Sequence, residues 1–256
     1  MNEAFETYYQ HIFQHRWPLL RESLLTEGPG WAYTTNLIRP YWMDRASVLA
    51  AESLVLPTEG EILDACAAPG GKSLVIASRM ERGVRLLSNE LSRERRRRLV
   101  EVLDTHLPAT IREQVTVSGF DAAALGARRT EWERFGAILL DVPCSSERHV
   151  VKDPAALAQW SPARPKMLSQ RQWALLSSAF LLLKPGGCLV YATCALTPQE
   201  NDEVFRRLIK KYGDRLQLAK PDFPEGEETE FGRHIFPDTS GGMGPMYVAR
   251  CIKVPD

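Results

Sequence analysis

Apolar residues follow two alternating patterns along most of the chain, short continuous runs and helical spacing. The short runs are typical of buried strands and predict strands at 61–67, 84–90, 114–120, 135–143 and 186–194. The helical spacing predicts helices at 46–54, 72–80, 91–107 and 167–183. Another helix is predicted from Thr197, where Pro198 and Glu200 indicate a capping box. Strands that alternate with helices predict an α/β fold with a mostly parallel sheet and helices on both faces.

The two ends of the chain lack this alternation. Residues 2–25 predict one helix with a single apolar face. Near the other end, 216–221 and 246–253 predict a final pair of strands. The segment between them, 222–244, is rich in Gly, Pro and Glu, which predicts a long and flexible loop.

Composition excludes several classes of protein. A hydrophobic content of 44% over 256 residues suits one compact domain. Basic and acidic residues balance at 32 each, so contact with nucleic acid would require a local basic surface. The five cysteines and the histidines lack metal-binding spacing, and unpaired thiols fit a cytoplasmic protein without disulfides or a metal. The N-terminus does not resemble a signal peptide, and the longest apolar run, 179–183, is too short to cross a membrane.

The first strand ends in a turn that is suited to close contact with a ligand. In sheets of this kind, ligands bind at the carboxyl ends of the strands. The turn consists of Asp64, Ala65, Cys66, Ala67, Ala68, Pro69, Gly70, Gly71 and Lys72. Its small residues allow the backbone to approach a ligand, and the following helix offers free N–H groups to a polar or anionic group. The turn lacks GxGxxG, which argues against a nicotinamide oxidoreductase.

Acidic residues end the next two strands. Glu90 ends the second, where a carboxylate can accept hydrogen bonds from both hydroxyls of a ribose. Asp121 ends the third, where an adenine amino group would lie. Each has a structural alternative, since Glu90 also suits the start of a helix and Asp121 also suits a helix N-cap. The pair is compatible with a nucleoside cofactor of either the methionine or the nicotinamide type.

Two cysteines are predicted on one rim of the sheet, because the strands that end at Asp141 and Thr193 are expected to be neighbours. Cys144 follows Asp141 and Pro143, and Cys194 follows the fifth strand. A thiolate that adds to carbon 6 of cytosine makes carbon 5 able to attack a methyl sulfonium. Asp141 suits the acid that holds the ring-nitrogen proton, and Lys72 suits the cation that favours the thiolate. The remaining cysteines fit ordinary packing roles.

These residues lie in strings that resemble the Fmu/Sun family of S-adenosylmethionine-dependent RNA cytosine-C5 methyltransferases. The strings are YWMDRASVLAAESL (41–54), LDACAAPGGKS (63–73), LDVPCSS (140–146), LKPGGCLVYATCALTPQEN (183–201) and GPMYVAR (244–250). The resemblance implies a class I methyltransferase fold with a mostly parallel, seven-stranded sheet. It also implies a short helical N-terminal extension over 1–45 and a methyltransferase catalytic domain over 46–256. Relatives commonly have glutamine where this chain has Met43.

The resemblance also implies a role for each site residue. For S-adenosylmethionine, the implied contacts are Cys66 through Lys72 around the methionine part, Glu90 on the ribose, Asp121 on the adenine side, and Arg95 and Asp141 beside the cofactor. For the reaction, Cys194 is implied as the nucleophile and Cys144 as the residue that resolves the adduct.

The strings DVPCSSERHVV and GPMY look closest to the mitochondrial ribosomal-RNA branch of the family. This implies ribosomal RNA as the preferred substrate, with transfer RNA second. Members of that branch lack a large RNA-binding appendage, and at least one acts with a protein partner, so such a partner is a candidate here. A monomer is the default expectation.

Three features keep alternative interpretations open. The arginine-rich run at 93–98 fits either a solvated helix face or part of an RNA track. The stretch 145–166 is expected to be a mobile loop that closes over RNA, and its Trp160 fits either stacking on a base or packing. Pro143–Cys144 also matches the position of the nucleophile in DNA cytosine methyltransferases, and an RNA-binding ribosome-assembly factor is a further alternative.

Overall fold

The computed structural model describes residues 2–255, and its strands form one large sheet and one small hairpin. The strands are β1 (Gly30–Tyr33), β2 (Tyr41–Asp44), β3 (Glu61–Asp64), β4 (Arg85–Asn89), β5 (Val115–Ser118), β6 (Phe135–Asp141), β7 (Leu183–Thr193), β8 (Leu216–Leu218), β9 (Glu227–Glu228), β10 (Gly232–Ile235) and β11 (Met246–Lys253). The large sheet has the order β5-β4-β3-β6-β7-β11-β10-β9, with β8 also paired to β11. The five strands β3 to β7 run parallel to one another, and β11 runs antiparallel to β7. The predicted α/β fold is therefore confirmed.

Helices cover both faces of this sheet. They are α1 (Glu3–Phe13), α2 (Trp17–Leu25), α3 (Arg45–Glu52), α4 (Gly71–Ala77), α5 (Arg93–His106), α6 (Ala109–Arg112), α7 (Ala122–Leu125), α8 (Glu147–Lys152), α9 (Pro154–Gln159), α10 (Ala163–Leu182) and α11 (Asp202–Tyr212). Alternate strand residues face opposite sides, so Ile62 joins the core under α3 to α5, whereas Leu63 joins the core under α10 and α11. Within 2–255, no helix has the length and apolar character needed to cross a membrane.

Within residues 2–255, the large sheet has nine strands, two more than predicted. The additional strands β9 and β10 come from the segment predicted as a flexible loop, and that prediction is wrong for this part. β10 pairs with the outer edge of β11, and Ile235 is fully buried there. Pairing along an edge that would otherwise be open supplies the order that the local sequence does not indicate.

The single helix predicted at 2–25 is broken. α1 ends at Phe13, a 3-10 turn follows, and α2 begins at Trp17. Pro18 has no N–H and would clash with the carbonyl of Gln14 in a continuous helix, and Gln14 accordingly takes a left-handed φ of 50°. The expected N-terminal extension is also not wholly helical, since β1 and β2 form an antiparallel hairpin within it and at its border.

The stretch predicted as a mobile loop, 145–166, forms α8 and α9 instead. These helices pack on α1 and α2 around a cluster of apolar and aromatic side chains. Trp160 is only 4% exposed, and its ring meets Phe5 edge-on at 5.1 Å between centroids. The packing interpretation of Trp160 is therefore confirmed, and the loop prediction is wrong because the N-terminal helices supply an apolar surface that orders the segment.

Candidate active site

The glycine turn holds the start of α4 against the end of β3. Gly70 has φ 121°, which favours glycine, and a Cβ there would lie 3.0 Å from Val102 of α5. Asp64 is fully buried and accepts a hydrogen bond from the Ser73 hydroxyl at 2.6 Å. Burial raises the pKa of Asp64 to about 7, against the lowering effect of Ser73. Met43 lies against this turn, where it lines a small cavity of about 100 Å³ with Lys72 and others.

Glu90 and Arg95 border a cavity of about 460 Å³ at the ends of β3, β4 and β5. Glu90 is buried, and its Oε1 accepts a hydrogen bond from the Ser92 N–H at 2.8 Å. Its Oε2 lies 3.1 Å from Arg95 Nη1, and Arg95 also donates to the Ala68 carbonyl at 2.8 Å. Arg95 thus ties the glycine turn to the Glu90 carboxylate across one wall of the cavity.

Asp121 performs the structural role that was its alternative. Its carboxylate accepts a hydrogen bond from Ala123 N at 3.0 Å and caps α7. Arg171 of α10 pairs with the same carboxylate, and this hydrogen bond lowers the pKa of Asp121. Asp121 lies between two residues of the cavity wall, Phe120 and Ala122. Its contact with an adenine stays a prediction.

The two predicted cysteines meet on the rim, because β6 and β7 are adjacent and pair Asp141 with Ala192. Cys144 Sγ lies 2.8 Å from Cys194 Sγ, and both are free thiols. The hydrogen bond to Cys194 and burial raise the pKa of Cys144 far above its usual range. Cys144 therefore stays protonated, and Cys194 is the more exposed of the two thiols.

Lys72 and Asp141 form an ion pair beside the thiols. Lys72 Nζ donates to Asp141 Oδ2 at 2.8 Å and to Ser47 Oγ at 3.2 Å. Burial lowers the pKa of Lys72, but the charges of Asp141 and Cys194 outweigh this effect and the pKa is raised. The lysine therefore carries a positive charge next to the thiols, as expected for a group that favours a thiolate.

A third cavity, of about 410 Å³, is lined by the residues predicted for the reaction, Lys72, Asp141, Cys144 and Cys194. Cys66 and Arg95 line both this cavity and the one beside Glu90, so the two spaces adjoin. The structure therefore brings the predicted residues of the reaction and of the cofactor site together. Cys188 and Cys251 lie buried in the core, in agreement with their predicted packing roles.

Ser146 is a residue of the site that the sequence did not reveal. Its hydroxyl lies 3.3 Å from Cys194 Sγ and 3.5 Å from Cys144 Sγ. Its backbone has φ 54° and ψ 56°, a left-handed conformation that is costly for a residue with a side chain. The conformation places the hydroxyl between the two sulfurs, where it can stabilise a thiolate by hydrogen bonding.

Two buried carboxylates support the cysteine loops from behind. Glu147 accepts hydrogen bonds from the hydroxyls of Tyr9 and Ser145, and from Leu196 N at 3.0 Å. Glu200 accepts from Ser145 N at 3.0 Å and from Gln172 Nε2 at 2.7 Å. The Glu200 carboxylate thus accepts hydrogen bonds from residues distant in the sequence, so the predicted capping box at Thr197 does not form as expected.

Glu200 is expected to make stability depend on pH. Burial, with a contribution from Glu147, raises its pKa from 4.5 to about 7. The pKa of Glu200 is higher in the folded protein than in the unfolded one. Its contribution to the free energy of unfolding is therefore fully present below about pH 4.5 and is lost as the pH rises through about 7. Glu200→Gln remains neutral, so its melting temperature relative to wild type should be higher at pH 8 than at pH 5, by the equivalent of about 2 kcal/mol. Thermal denaturation at both pH values measures this difference.

The control for this test is Glu203→Gln, which changes an exposed acid three residues further along. It should shift the melting temperature equally at both pH values. An equal shift for Glu200→Gln would contradict the assignment of a raised pKa to Glu200.

Comparison with known families decides the family of this chain. Residues 51–252 match the profile of the family described as 16S rRNA methyltransferase RsmB/F. The chain belongs to the RsmB/F family. This confirms the expected relationship to Fmu/Sun proteins and the methyltransferase fold, and it disfavours the oxidoreductase and DNA methyltransferase alternatives. No comparison tests the proximity to the mitochondrial branch, which stays a prediction.

Curated relatives in this family carry the name ribosomal RNA small subunit methyltransferase F. The one from Serratia proteamaculans is 35% identical over 220 residues, which are 83% of this chain and 45% of the relative. The one from Aeromonas salmonicida is 38% identical over 224 residues, with the same shares of each chain. This RsmB/F-family chain therefore spans less than half the length of the relatives that it matches.

Solved structures support the same fold. PH0851 is 25% identical with a TM-score of 0.74, over 84% of this chain and 47% of that one. NSun6 from Pyrococcus horikoshii, solved with SFG, is 23% identical with a TM-score of 0.71, over 87% of this chain and 55% of that one.

Proposed function

We propose that this chain transfers a methyl group from S-adenosylmethionine to carbon 5 of a cytosine in ribosomal RNA, with Cys194 as the nucleophile. The observation that carries the proposal is the contact between the Cys194 and Cys144 thiols, beside the Lys72–Asp141 ion pair and in a cavity that adjoins the one beside Glu90. Membership of a 16S rRNA methyltransferase family and the names of the relatives support the choice of substrate. Transfer RNA is the second candidate.

The residues around the cavity beside Glu90 fit S-adenosylmethionine. Asp64 Oδ1 is buried beside the adjoining small cavity and accepts no hydrogen bond from the described residues, so it can accept one from a ligand. Glu90 Oε2 is paired with Arg95 at 3.1 Å and keeps a lone pair for a further donor. In the proposed arrangement Glu90 holds the ribose hydroxyls, the turn from Cys66 to Lys72 surrounds the methionine part, and Arg95 closes the wall between them. The bound cofactor supplies an electrophilic methyl sulfonium. Asp121 is proposed on the adenine side because it adjoins the wall residues.

The proposed reaction begins with attack by Cys194. Its thiolate forms a bond to carbon 6 of cytosine, and the electrons of the 5,6 double bond move into the ring as N3 takes up a proton from the Lys72–Asp141 pair. Lys72 is protonated before the attack. Its positive charge favours the thiolate, and its proton then passes to N3 through Asp141, which leaves Lys72 neutral until the product is released. Carbon 5 is then able to take the methyl group.

Release of the product is assigned to Cys144. The hydrogen bond to Cys194 is the principal cause of the raised pKa of Cys144, followed by burial and by the charge of Cys194. Once Cys194 is bonded to carbon 6, that charge is gone and the hydrogen bond is weakened, so Cys144 can release its proton to solvent and act as a base. Cys144 then takes the carbon 5 proton, the 5,6 double bond re-forms, and the electrons of the carbon–sulfur bond return to Cys194. The proton on N3 returns to the Lys72–Asp141 pair.

Bisulfite sequencing of total RNA tests the function directly. RNA from cells with the gene, without it, and without it but carrying the Cys194→Ala variant is compared. One cytosine in small-subunit ribosomal RNA should be protected only in the presence of the wild-type gene. Protection that persists without the gene everywhere in total RNA would contradict the proposal, and loss at a transfer RNA site would reassign the substrate.

Partner and location follow from the same proposal. The chain is proposed to act in the cytoplasm, where ribosomal RNA and reduced thiols occur together, as a monomer. A protein that helps to bind RNA is proposed as a partner, on the sequence resemblance alone. Sedimentation of the purified chain alone and with ribosomal RNA tests whether the chain is a monomer.

A further inference from the structure

The hairpin of β1 and β2 exposes large aromatic side chains. Trp42 is 69% exposed and Trp31 is 44% exposed, and Ile38 in the connecting loop is 59% exposed. The guanidinium of Arg45 lies over the Trp31 ring at 4.8 Å from its centroid. Exposed tryptophans with adjacent arginines form a surface that suits flat, electron-rich groups.

This hairpin lies next to the cavity of the cysteines. Tyr41 and Met43, the neighbours of Trp42 in β2, line the small cavity at the glycine turn, which shares Lys72 and Asp141 with the cavity of the cysteines. Asp44 accepts a hydrogen bond from Gly244 N at 2.9 Å, and two residues later Met246 lines the cavity of the cysteines. Because strand residues alternate, Trp42 lies on the outer face of the strand whose other face borders this rim.

Positive charge lies next to the hairpin. The loop contacts the end of α5, since Ile38 N donates to the His106 carbonyl at 2.9 Å and the His106 ring bonds the Arg39 carbonyl at 3.0 Å. α5 begins with five arginines and one glutamate over 93–98, and Arg98 is exposed and acts electrostatically on Tyr41. Arg39 is also exposed.

Two acidic neighbours of this surface are engaged within the protein. Asp44 accepts backbone hydrogen bonds, and Glu225 pairs with Arg45 at 2.8 Å. Aromatic side chains that take bases and arginines that take phosphates are the chemistry by which proteins bind single-stranded nucleic acid. A single strand also fits the reaction, since carbon 6 of a cytosine must leave the base stack to meet a thiolate.

We propose that the surface of Trp31, Ile38, Arg39, Trp42 and Arg98 binds single-stranded RNA next to the target cytosine. Trp42 stacks on a base, and Arg39 and Arg98 contact phosphates. This inference rests on the proposed function, because it assigns how the RNA of that reaction is held.

Trp42→Ala is the decisive variant. The probe is a fluorescein-labelled, single-stranded RNA of about 12 nucleotides, and its affinity is measured by fluorescence anisotropy against the same sequence as a duplex. We expect the Kd for the single strand to rise about tenfold, and Trp42→Tyr to restore most of the affinity. Arg39→Ala should reduce the slope of log affinity against log salt by about one. Exposure of both side chains means that the fold should be unaffected, as thermal melting will show.

Trp132→Ala is the matched control. Trp132 is 38% exposed and also has an arginine near its ring, Arg129 at 5.4 Å. It precedes the amino end of β6, on the edge of the sheet opposite to the cysteines. Its replacement should leave the affinity for the RNA unchanged.

A folded Trp42→Ala protein that binds the single strand as tightly as wild type overturns the inference, and this is the outcome expected if the surface serves a protein partner. Methylation of ribosomal RNA separates this failure from failure of the function. If wild type methylates the RNA and Trp42→Ala does so with unchanged KM, only the surface assignment is wrong. If wild type methylates none but Trp42→Ala loses affinity for the strand, only the proposed reaction is wrong.

Discussion

Replacing Cys194 with alanine is expected to abolish methylation of ribosomal RNA while S-adenosylmethionine still binds. The thiolate supplies the electron pair that makes carbon 5 reactive, and none of the residues around it replaces that pair. The rate should therefore fall by at least about 10⁴-fold. Transfer of a radiolabelled methyl group to ribosomal RNA measures the rate, and calorimetry with the cofactor measures binding.

Cys188→Ala provides the control for this experiment. Cys188 is a buried thiol in β7, the strand that Cys194 follows, and its loss should leave methylation close to the wild-type rate. Appreciable turnover by Cys194→Ala would remove Cys194 from its role as nucleophile.

Cys144→Ala should instead accumulate a covalent complex of protein and RNA. Attack by Cys194 still occurs, but the carbon 5 proton lacks its nearest base and Cys194 is not expelled. Release should slow by at least about 10²-fold, and the complex should survive denaturing electrophoresis. Mass spectrometry of the digested complex should place the RNA on Cys194.

The double variant Cys144→Ala/Cys194→Ala distinguishes this mechanism from its rival. It should form no complex, since the attacking sulfur is absent. A Cys144→Ala protein that turns over normally would refute the release role. A complex in the wild-type protein that maps to Cys144 would instead favour the arrangement of DNA cytosine methyltransferases.

The positions of the cysteines were predictable because parallel strands deliver their carboxyl ends to one edge. Neither Cys144 nor Cys194 is unusual alone, but each follows a strand, and adjacency of β6 and β7 is enough to bring them together. The glycine turn was predictable for the same kind of reason, since its backbone conformation depends on local residues such as Gly70.

The support behind the site was not predictable from local sequence. Glu147 and Glu200 are 53 positions apart in the sequence. Ser145 joins them, because its N–H donates to Glu200 and its hydroxyl donates to Glu147. Acids in such helical segments ordinarily face solvent, and only the closed fold shows them buried. β9 and β10 were missed because strands of two and four residues depend on pairing, β10 with β11 and β9 with β10, rather than on their own pattern.

The hydrogen bond from Tyr9 to Glu147 makes the first helix a structural component of the nucleophile loop. Glu147 also holds Leu196 N, two residues after Cys194, so α1 and the nucleophile share one carboxylate. The N-terminal helix is therefore expected to be required for the packing of this loop, because its removal leaves the buried Glu147 carboxyl without its phenol partner. A molecule that binds α1 is expected to disturb the loop of the proposed nucleophile, Cys194, without entering the cavity of the cysteines.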